Sequence, residues 1–425
     1  MQSYNRSMTR IHLRQPILAV MIAFLLGLQL MQPSRTWTIL LTGITGMFIA
    51  AYLWAWTLGR NLHLRRETHL GWIQAGGQIE ERFTLSNTSS LPASWVQIND
   101  RSTLPEFNAN RSTSISAGYF DQWSLTATCN QRGLFYLGGA IIQTGDPFGI
   151  FEVTIHDSQR TSLLVLPQIA ALPEIMIAPS GAYGDGRPRR NAVDQTIHAA
   201  TVREYYHGDS TRMIHWPTTA RMNKVFVRLM ESAPEGKWWI LLDLDERHMF
   251  GKGWDSVEEQ SVTLAASLAD AGLRARKSVG LITNSKQMAW INPQKGEGQR
   301  WEIMQALALA GPSRLTLSTT LERIQPSLGR HHSLIIITAT TKSNWLKTLL
   351  PIGKNGIIPS VILLDTSTFD NTVVIENTAA ELQQRGVTCH VIPRGMIEPP
   401  KAPPQQRGKM KWYSTHTGEI VSVRS

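Results

Sequence analysis

Two long uncharged runs near the N-terminus constrain the fold of this chain more than any other feature of its sequence. Residues Gln15–Ser34 carry no charge, and residues Trp37–Leu58 form a second uncharged run of 22 residues. A helix needs about 20 apolar residues to cross the hydrocarbon core of a bilayer. The second run meets that length and carries tryptophans near its ends, where interfacial aromatic residues are enriched. We therefore predict a transmembrane hairpin of two helices over residues 1–66.

The arginines that flank the two runs predict an orientation for the hairpin. A cleaved signal peptide is the alternative for the first run, but no small-residue cleavage site follows it and the second run begins within a few residues. Positively charged loops stay in the cytoplasm. We therefore expect a multi-pass protein of the cell membrane whose bulk is cytoplasmic; the reverse topology would make it an external adhesion module. Three arginines precede the first run, one lies between the runs and three follow the second: Arg6, Arg10 and Arg14; Arg35; Arg60, Arg65 and Arg66.

The length of the chain predicts how many domains it has, and its charge indicates the kind of partner that it binds. A chain of 425 residues exceeds one compact core, so two or three domains are expected. Its 42 Lys and Arg against 32 Asp and Glu give a net charge of +10, which suits an anionic membrane surface or an acidic partner protein. The absence of a zinc finger, an RNA-binding sheet motif or a basic block argues against nucleic acid. The two cysteines, Cys129 and Cys389, form neither a metal-ligand pair nor a disulfide framework.

The pattern of the remaining chain predicts a multidomain protein. Short alternating segments separated by turn residues predict an Ig-like β-sandwich over residues 67–178. Residues 179–236 contain a Gly-, Pro- and Arg-rich linker and a long motif that leads into the next domain. Apolar strand segments then alternate with amphipathic helices over residues 237–396, which predicts a doubly wound α/β domain with a parallel sheet. The Pro- and Lys-rich tail, 397–425, is predicted to be disordered.

The long motif, REYYHGDSTRMIHWPTTAR, occupies residues 203–221. Together with GDPFGIF at 145–151 and the order of the segments, it resembles the bacterial family called domain of unknown function 58. The residues that carry the resemblance and that we take as the candidate structural or docking site are Arg203, Tyr205, Gly208, Asp209, Arg212, His215, Trp216 and Arg221.

This resemblance implies a membrane-anchored protein with a von Willebrand A-like α/β domain and a MoxR-type AAA+ ATPase as partner. Such a domain would hold Mg²⁺ with Asp-x-Ser-x-Ser after its first strand and with a Thr and an Asp from later loops, since oxygen ligands suit a hard cation. The site here is degenerate, with Asp243, Asp245 and Thr338 as possible ligands. Arg247 and Ala339 stand where a Ser and an Asp are expected. We therefore expect no cofactor, with Mg²⁺ as the alternative if the site binds a metal.

Three interpretations of the motif stay open from the sequence. As a catalytic site, Asp209 and His215 would act together as a general base, and the neighbouring arginines would bind an anion. However, no Ser or Cys nucleophile is presented in a recognisable turn. As a structural corner, the arginines would pair with Glu204, Asp209 or Asp243, and Trp216 would pack on the sheet. As a docking surface, its Arg, Tyr, His and Trp residues are of the types that dominate protein interfaces.

Together these patterns predict a membrane-anchored, non-catalytic adaptor or assembly factor that binds partner proteins at the cytoplasmic face. The rival prediction from another class is a metal-dependent enzyme that uses Asp243 and Asp245 with Asp209 and His215.

Overall fold

The computed structural model divides the chain into two compact units, Met1–Leu166 with Pro400–Ser425, and Pro167–Pro399. The structure describes residues 8–68, 71–172, 199–206, 214–230, 237–286, 288–329, 332–354, 357–369, 378–397, 410–414 and 420–424.

The first unit joins a helical hairpin to antiparallel sheets. Its helices are α1 (Pro16–Met31) and α2 (Arg35–Asn61), the second capped by Ser34, whose side chain accepts a hydrogen bond from the backbone N–H of Trp37 at 3.3 Å. Of the described helices, α2 is the one long and apolar enough to cross a membrane, and α1 is a shorter apolar helix. The strands are β1 (Met8–Leu13), β2 (Leu62–Thr68), β3 (Trp72–Gln74), β4 (Gln78–Asn87), β5 (Ala93–Asn99), β6 (Arg111–Ile115), β7 (Phe120–Thr128), β8 (Gly133–Gly138), β9 (Ile141–Gly145), β10 (Phe151–His156) and β11 (Arg160–Leu166).

Among the described residues these strands form sheets in the orders β1-β10-β9-β5-β6, β3-β11-β8 and β2-β4-β7. The run of strands without an intervening helix agrees with the β-rich segment predicted from the alternating sequence. In β4, for example, alternate residues are buried, as expected for a strand with one face on a core. Two further strands, β20 (Met410–Ser414) and β21 (Ile420–Arg424), pair antiparallel in the tail that the sequence predicted to be disordered.

Both ends of the helical hairpin are built into the β-rich body. Strand β1, which precedes α1, pairs antiparallel with β10 along its whole length, and the Arg14 N–H donates to the Ile150 carbonyl at 2.8 Å. At the other end, Ala51, Ala55 and Leu58 of α2 are buried in the same core as strands of that sheet. The predicted membrane segment and the predicted sandwich therefore share one hydrophobic core.

One arginine that the sequence counts as a helix flank is an internal residue of this body. Arg66 is buried, and its guanidinium pairs with Glu81 and, at 2.9 Å, with Asp100. Arg60 instead lies over the ring of Trp56, 4.2 Å from its centroid, near the C-terminal end of α2. Arg66 is thus not an exposed positive charge after α2, whereas Arg60 is exposed.

The second unit contains a six-stranded sheet among its described residues, in the order β16-β15-β14-β17-β18-β19. Five strands are parallel, and β16 pairs antiparallel with β15 at one edge. The strands are β14 (Lys237–Leu242), β15 (Ser278–Thr283), β16 (Trp290–Gln294), β17 (His332–Thr338), β18 (Ile358–Leu364) and β19 (Thr388–Ile392). The helices are α4 (Val257–Arg274), α5 (Glu297–Leu309), α6 (Leu317–Ile324), α7 (Leu346–Lys354) and α8 (Thr378–Gln384).

Consecutive residues of the central strands are buried, which requires cover on both faces of the sheet. Trp239 and Leu241 of β14 share a core cluster with residues of α6, α7 and α8. On the opposite face, Gly272 of α4 lies so close to Trp238 and Val279 that a Cβ there would meet their side chains at 2.8 Å. The predicted parallel α/β arrangement is therefore present, with β16 and α6 as elements that the sequence analysis did not predict.

Candidate functional site at the carboxyl edge of the sheet

The polar residues that the sequence placed at strand ends do meet at one edge of the parallel sheet. Asp243 follows β14, and Thr338 ends the neighbouring β17. Because parallel strands bring their carboxyl ends to the same edge, the two residues lie side by side, and the Thr338 hydroxyl donates to Oδ2 of Asp243 at 2.6 Å. The sequence prediction that Asp243 and Thr338 belong together is thus matched by direct contact.

Two residues that the sequence analysis missed complete the surroundings of Asp243. The Thr340 hydroxyl donates to Oδ2 at 2.9 Å, and the side-chain amide of Asn284, which follows β15, donates to Oδ1. Asp243 is fully buried, and burial raises the pKa of its carboxyl above the usual range, against the three hydrogen bonds, which lower it. The signal that could have identified Asn284 is its position directly after the apolar strand SVGLIT, where an Asn is costly unless it is hydrogen-bonded.

Asn284 also fixes the backbone on both sides of the site. Its Oδ1 accepts a hydrogen bond from the backbone N–H of Leu244, and its amide donates to the Leu315 carbonyl at 3.2 Å. One side chain therefore links the loop after β14, the end of β15 and the segment before α6. The arrangement holds Asp243 through neutral donors rather than through a cation.

Asp245 is neutralised by a residue of its own loop. Nε of Arg247 donates to Oδ1 at 2.8 Å and Nη2 donates to Oδ2, while the Arg247 backbone N–H donates to Oδ1 at 3.2 Å. Burial would raise the pKa of Asp245, but the hydrogen bonds and charge of Arg247 outweigh it and hold that pKa below its usual value. The same pairing raises the pKa of Arg247. The two predicted metal ligands therefore have different protein partners.

These residues do not fit a magnesium ion. Asp243 already receives three hydrogen bonds, Asp245 is bound side-on by a guanidinium, and the positive charge of Arg247 would repel a cation. No group of three or more His, Cys, Asp or Glu residues able to hold a metal occurs in the part of the chain that the structure describes.

Further cationic groups surround this edge. Arg314 donates from Nε to Glu246 at 2.9 Å, and the Glu246 N–H donates to the Ser313 carbonyl, also at 2.9 Å. His248 is half-buried, and burial lowers the pKa of its imidazole; Asp245 raises that pKa, and the charges of Arg247 and Lys342 lower it. Lys342 is exposed. The edge therefore combines internally paired carboxylates with an exposed basic rim, which is defined here as Arg247, His248, Arg314 and Lys342.

The long motif folds as a separate hairpin within the second unit. Strand β12 (Ala199–Glu204) pairs antiparallel with β13 (Phe226–Met230), and α3 (Trp216–Met222) lies between them in the chain. Arg203 lies in β12 opposite Val227, and the Tyr205 N–H donates to the Val225 carbonyl at 2.8 Å. Gly208, Asp209 and Arg212 lie outside the described residues, so the predicted pair of Asp209 with His215 falls outside them too.

His215 makes its hydrogen bonds within this hairpin. Its ring Nδ1 lies 2.7 Å from the Thr218 hydroxyl, and its backbone N–H donates to the Phe226 carbonyl at 2.8 Å. Glu204, which ends β12, pairs with Lys224 at 2.7 Å. These contacts make His215 the residue that starts α3 rather than a group hydrogen-bonded to Asp243 or Asp245.

Several large apolar side chains of this hairpin are exposed. If the motif were a structural corner, Trp216 would be expected to pack on a sheet. Instead it is exposed at the start of α3, a short helix in which no residue is buried. Arg221, in the last turn of α3, is also exposed. We call the apolar surface the hairpin patch; it consists of Tyr206, Trp216, Met222 and Val225.

Part of the chain is similar to an uncharacterized bacterial protein. The uncharacterized protein YeaD of Bacillus subtilis (strain 168) is 22% identical over 262 residues, which are 59% of this chain. The match spans 63% of YeaD, less than two thirds of that relative.

Likeness to solved structures is low. The CARDB domain of the PF1109 protein of Pyrococcus furiosus, solved in complex with di-metal ions, is 11% identical; the match covers 25% of this chain and 94% of that one, with a TM-score of 0.19. Spo0M, a sporulation control protein of Bacillus subtilis, is 8% identical over 25% of this chain and 49% of that one, with a TM-score of 0.17. Residues 201–368, which contain both the motif hairpin and the carboxyl edge of the sheet, match the family described as protein of unknown function DUF58.

Proposed function

We propose that this protein is a membrane-anchored, non-catalytic adaptor or assembly factor of the domain-of-unknown-function-58 family. Its α/β unit, which the family resemblance implies to be von Willebrand A-like, would bind partner proteins at the cytoplasmic face. The partner class that the resemblance suggests is a MoxR-type AAA+ ATPase.

The observation that carries the non-catalytic part of the proposal is the internal pairing of the two carboxylates. A general base or a metal ligand needs a lone pair that it can offer to substrate or ion. Asp243 is enclosed by Thr338, Thr340 and Asn284. Asp245 is held by Arg247. Groups arranged in this way stabilise the loops at the edge of the sheet, which suits a rigid binding surface.

The helical hairpin of α1 and α2 supports the proposal that the protein is anchored in a membrane. Apolar side chains are exposed along α1 and α2, and both helices start or end in the same β-rich body. The 16 residues of α1 span about 24 Å at 1.5 Å per residue, somewhat less than the roughly 30 Å of a hydrocarbon core. Arg35 at the tip can extend its side chain toward the far headgroups, and small mismatches of this kind are accommodated by local thinning of the bilayer.

The hairpin patch supports the binding role. Exposed Tyr and Trp side chains contribute strongly to protein interfaces, and the same hairpin carries the exposed Arg221. Exposed aromatic and basic side chains are groups that an acidic partner would recognise.

Affinity purification of the full chain from bacterial membranes, with and without ATP, tests the proposal. Tyr206→Ala removes an aromatic side chain from the hairpin patch, and Tyr119→Ala is its matched control in the other unit, since the two tyrosines are 70% and 69% exposed. We expect an ATPase to be recovered with the wild type and with Tyr119→Ala, and several-fold less with Tyr206→Ala.

Recovery of no partner in any sample would reject the adaptor role. Tight binding of Mg²⁺ or Mn²⁺ that Asp243→Ala abolishes would instead support the metal-dependent enzyme.

A further inference from the structure

The Arg247 guanidinium leaves part of its hydrogen-bonding capacity unused. Its Nε and Nη2 hold the two oxygens of Asp245. Nη1 has no hydrogen-bond partner among the described residues, and the side chain is 60% exposed although Asp245 beneath it is buried. A guanidinium has five N–H donors: two sit on Nη1, and Nη2 keeps one beside the one that it gives to Asp245. The free N–H groups of Nη1 and Nη2 therefore form a fork of donors on an exposed side chain.

The position of this fork is set by buried parts of the protein. Asp245 is tied into the edge by its bridge with Ser313, and the Arg247 backbone N–H is itself bound to the Asp245 carboxylate. A side chain held at two nitrogens loses less conformational freedom when a ligand binds than a free surface arginine does. Arg247 thus differs from an ordinary exposed arginine.

The charge at this edge favours an anion. The charges of Arg247 and Asp245 balance each other, as do those of Arg314 and Glu246. Lys342 is exposed and has no ion-pair partner among the described residues, and it acts on the same His248 as Arg247 does. Counted with these two carboxylate partners, the basic rim keeps the positive charge of Lys342, and the planar guanidinium of Arg247 suits a carboxylate.

We propose that Arg247 is a docking point for a carboxylate of an acidic segment of a partner protein, with Lys342 supplying the balancing charge. At this edge the guanidinium takes the role that a divalent ion would take in a metal-binding site. It neutralises Asp245 and offers its remaining N–H donors to a ligand. The proposal rests on the adaptor function and names the chemistry by which the partner is recognised.

The test uses a fluorescent Glu-Gly repeat peptide and its Gln-Gly counterpart, with binding to the detergent-solubilised full chain followed by anisotropy. The variant is Arg247→Gln. Its matched control is Arg274→Gln, because Arg274 is 73% exposed and pairs at 2.8 Å with Asp270, which is equally buried. Both substitutions lower the net charge by the same amount. We expect the Glu-Gly peptide to bind more tightly than the Gln-Gly peptide, and Arg247→Gln to weaken it about tenfold or more.

Equal weakening by Arg247→Gln and Arg274→Gln would show non-specific attraction by a basic protein and would overturn the proposal, as would equal affinity for the two peptides. The double variant Asp245→Asn/Arg247→Gln covers the case in which the single variant fails to fold, because it removes both charges of the pair together. If the membrane purification recovers an ATPase that the folded variant still binds at full strength, the docking point is wrong while the adaptor function stands.

Discussion

At the residue scale, the buried Asp243 makes the stability of the second unit depend on pH. Burial raises its pKa above that of an unfolded aspartate, whose ordinary value is 3.8. The stability that the protonated form contributes is complete below the unfolded value and is lost as the pH rises through the folded one. This sign is opposite to that of a salt-bridged carboxylate such as Asp245, whose folded pKa is depressed.

We predict that Asp243→Asn gains thermal stability relative to the wild type as the pH rises from about 4 to about 8, because the amide cannot ionise. Its oxygen can still accept from Asn284, and its N–H groups can donate to the hydroxyls of Thr338 and Thr340. Melting curves at several pH values measure the difference in melting temperature between Asp243→Asn and the wild type. Asp243→Ala should lose about 1–3 kcal/mol by leaving these groups unpaired. A difference that is constant with pH would contradict the raised pKa of Asp243.

The buried ion cluster around Arg66 gives a second prediction at this scale. Arg66→Met leaves Glu81 and Asp100 buried without their cation, which we expect to cost about 3–5 kcal/mol of unfolding free energy. The neighbouring Arg65→Met is the control, since Arg65 is 70% exposed where Arg66 is 9% exposed. Denaturant unfolding in detergent measures both, and similar small losses would show that the cluster does not stabilise the first unit.

Sequence reasoning found part of the candidate site and missed the rest for a physical reason. Asp243 and Thr338 could be predicted because each ends an apolar strand, and parallel strands share an edge. Thr340 was missed because its role depends on how the loop after β17 returns over that edge, whereas Asn284 directly follows β15 and could have been predicted by the same rule. The pairing of Asp245 with Arg247, two residues apart, could have been considered from the sequence alone, since Asp side chains commonly bond to groups two residues on.

At the element scale, the long periodic segments were predictable and the short ones were not. The apolar spacing of residues 256–271 predicts a helix, and α4 spans Val257–Arg274 with Ser256 as its N-cap. The edge strand β16 contains Pro293, which weakens any strand prediction and is tolerated at an edge. Helix α6 is eight residues long and includes two threonines, so its helical signal is weak in isolation.

The hairpin of α1 and α2 yields a prediction about topology. A cysteine introduced as Gln32→Cys, between the helices, should react with a membrane-impermeant maleimide in intact cells, because it lies at the end of the hairpin away from the β-rich body. Tyr119→Cys, in that body, should react only after permeabilisation. Burial raises the pKa of the native thiols Cys129 and Cys389 to about 12 and about 11, so they should contribute little background.

The opposite labelling pattern would reverse the orientation and favour an external module. Protection of both introduced cysteines in intact cells would mean that the hairpin enters the bilayer without reaching its far side.

At the scale of the whole molecule, composition and segment order predicted a multidomain chain with β-rich and α/β parts, but not how the anchor is joined to the first unit. Apolar runs such as Trp37–Leu58 look uniform in sequence because lipid and a protein core both favour apolar residues. In the structure, α2 passes from an exposed region into the core around Ala55 and Leu58. That transition has no marker in residue type, so only the packing reveals it.

The shared core predicts which soluble fragments fold. A fragment that begins at Leu62 lacks β1 and the buried turns of α2, so it should be insoluble or unfolded. A fragment that keeps β1 and residues 47–61 but replaces residues 17–46 with a short Gly/Ser linker should be soluble. Soluble yield and a cooperative thermal transition measure the difference. Equal solubility and equal thermal transitions of the two fragments would show that β1 and the buried turns of α2 are not needed for folding.

The pairing of β1 with β10 also sets an order of events during synthesis. Strand β1 is translated before the hairpin, whereas β10 follows after both helices and most of the β-rich body. The sheet therefore cannot close until the hairpin and the strands that follow it have left the ribosome. Until β10 is made, β1 has no partner in this sheet, and such an unpaired strand edge is exposed to aggregation.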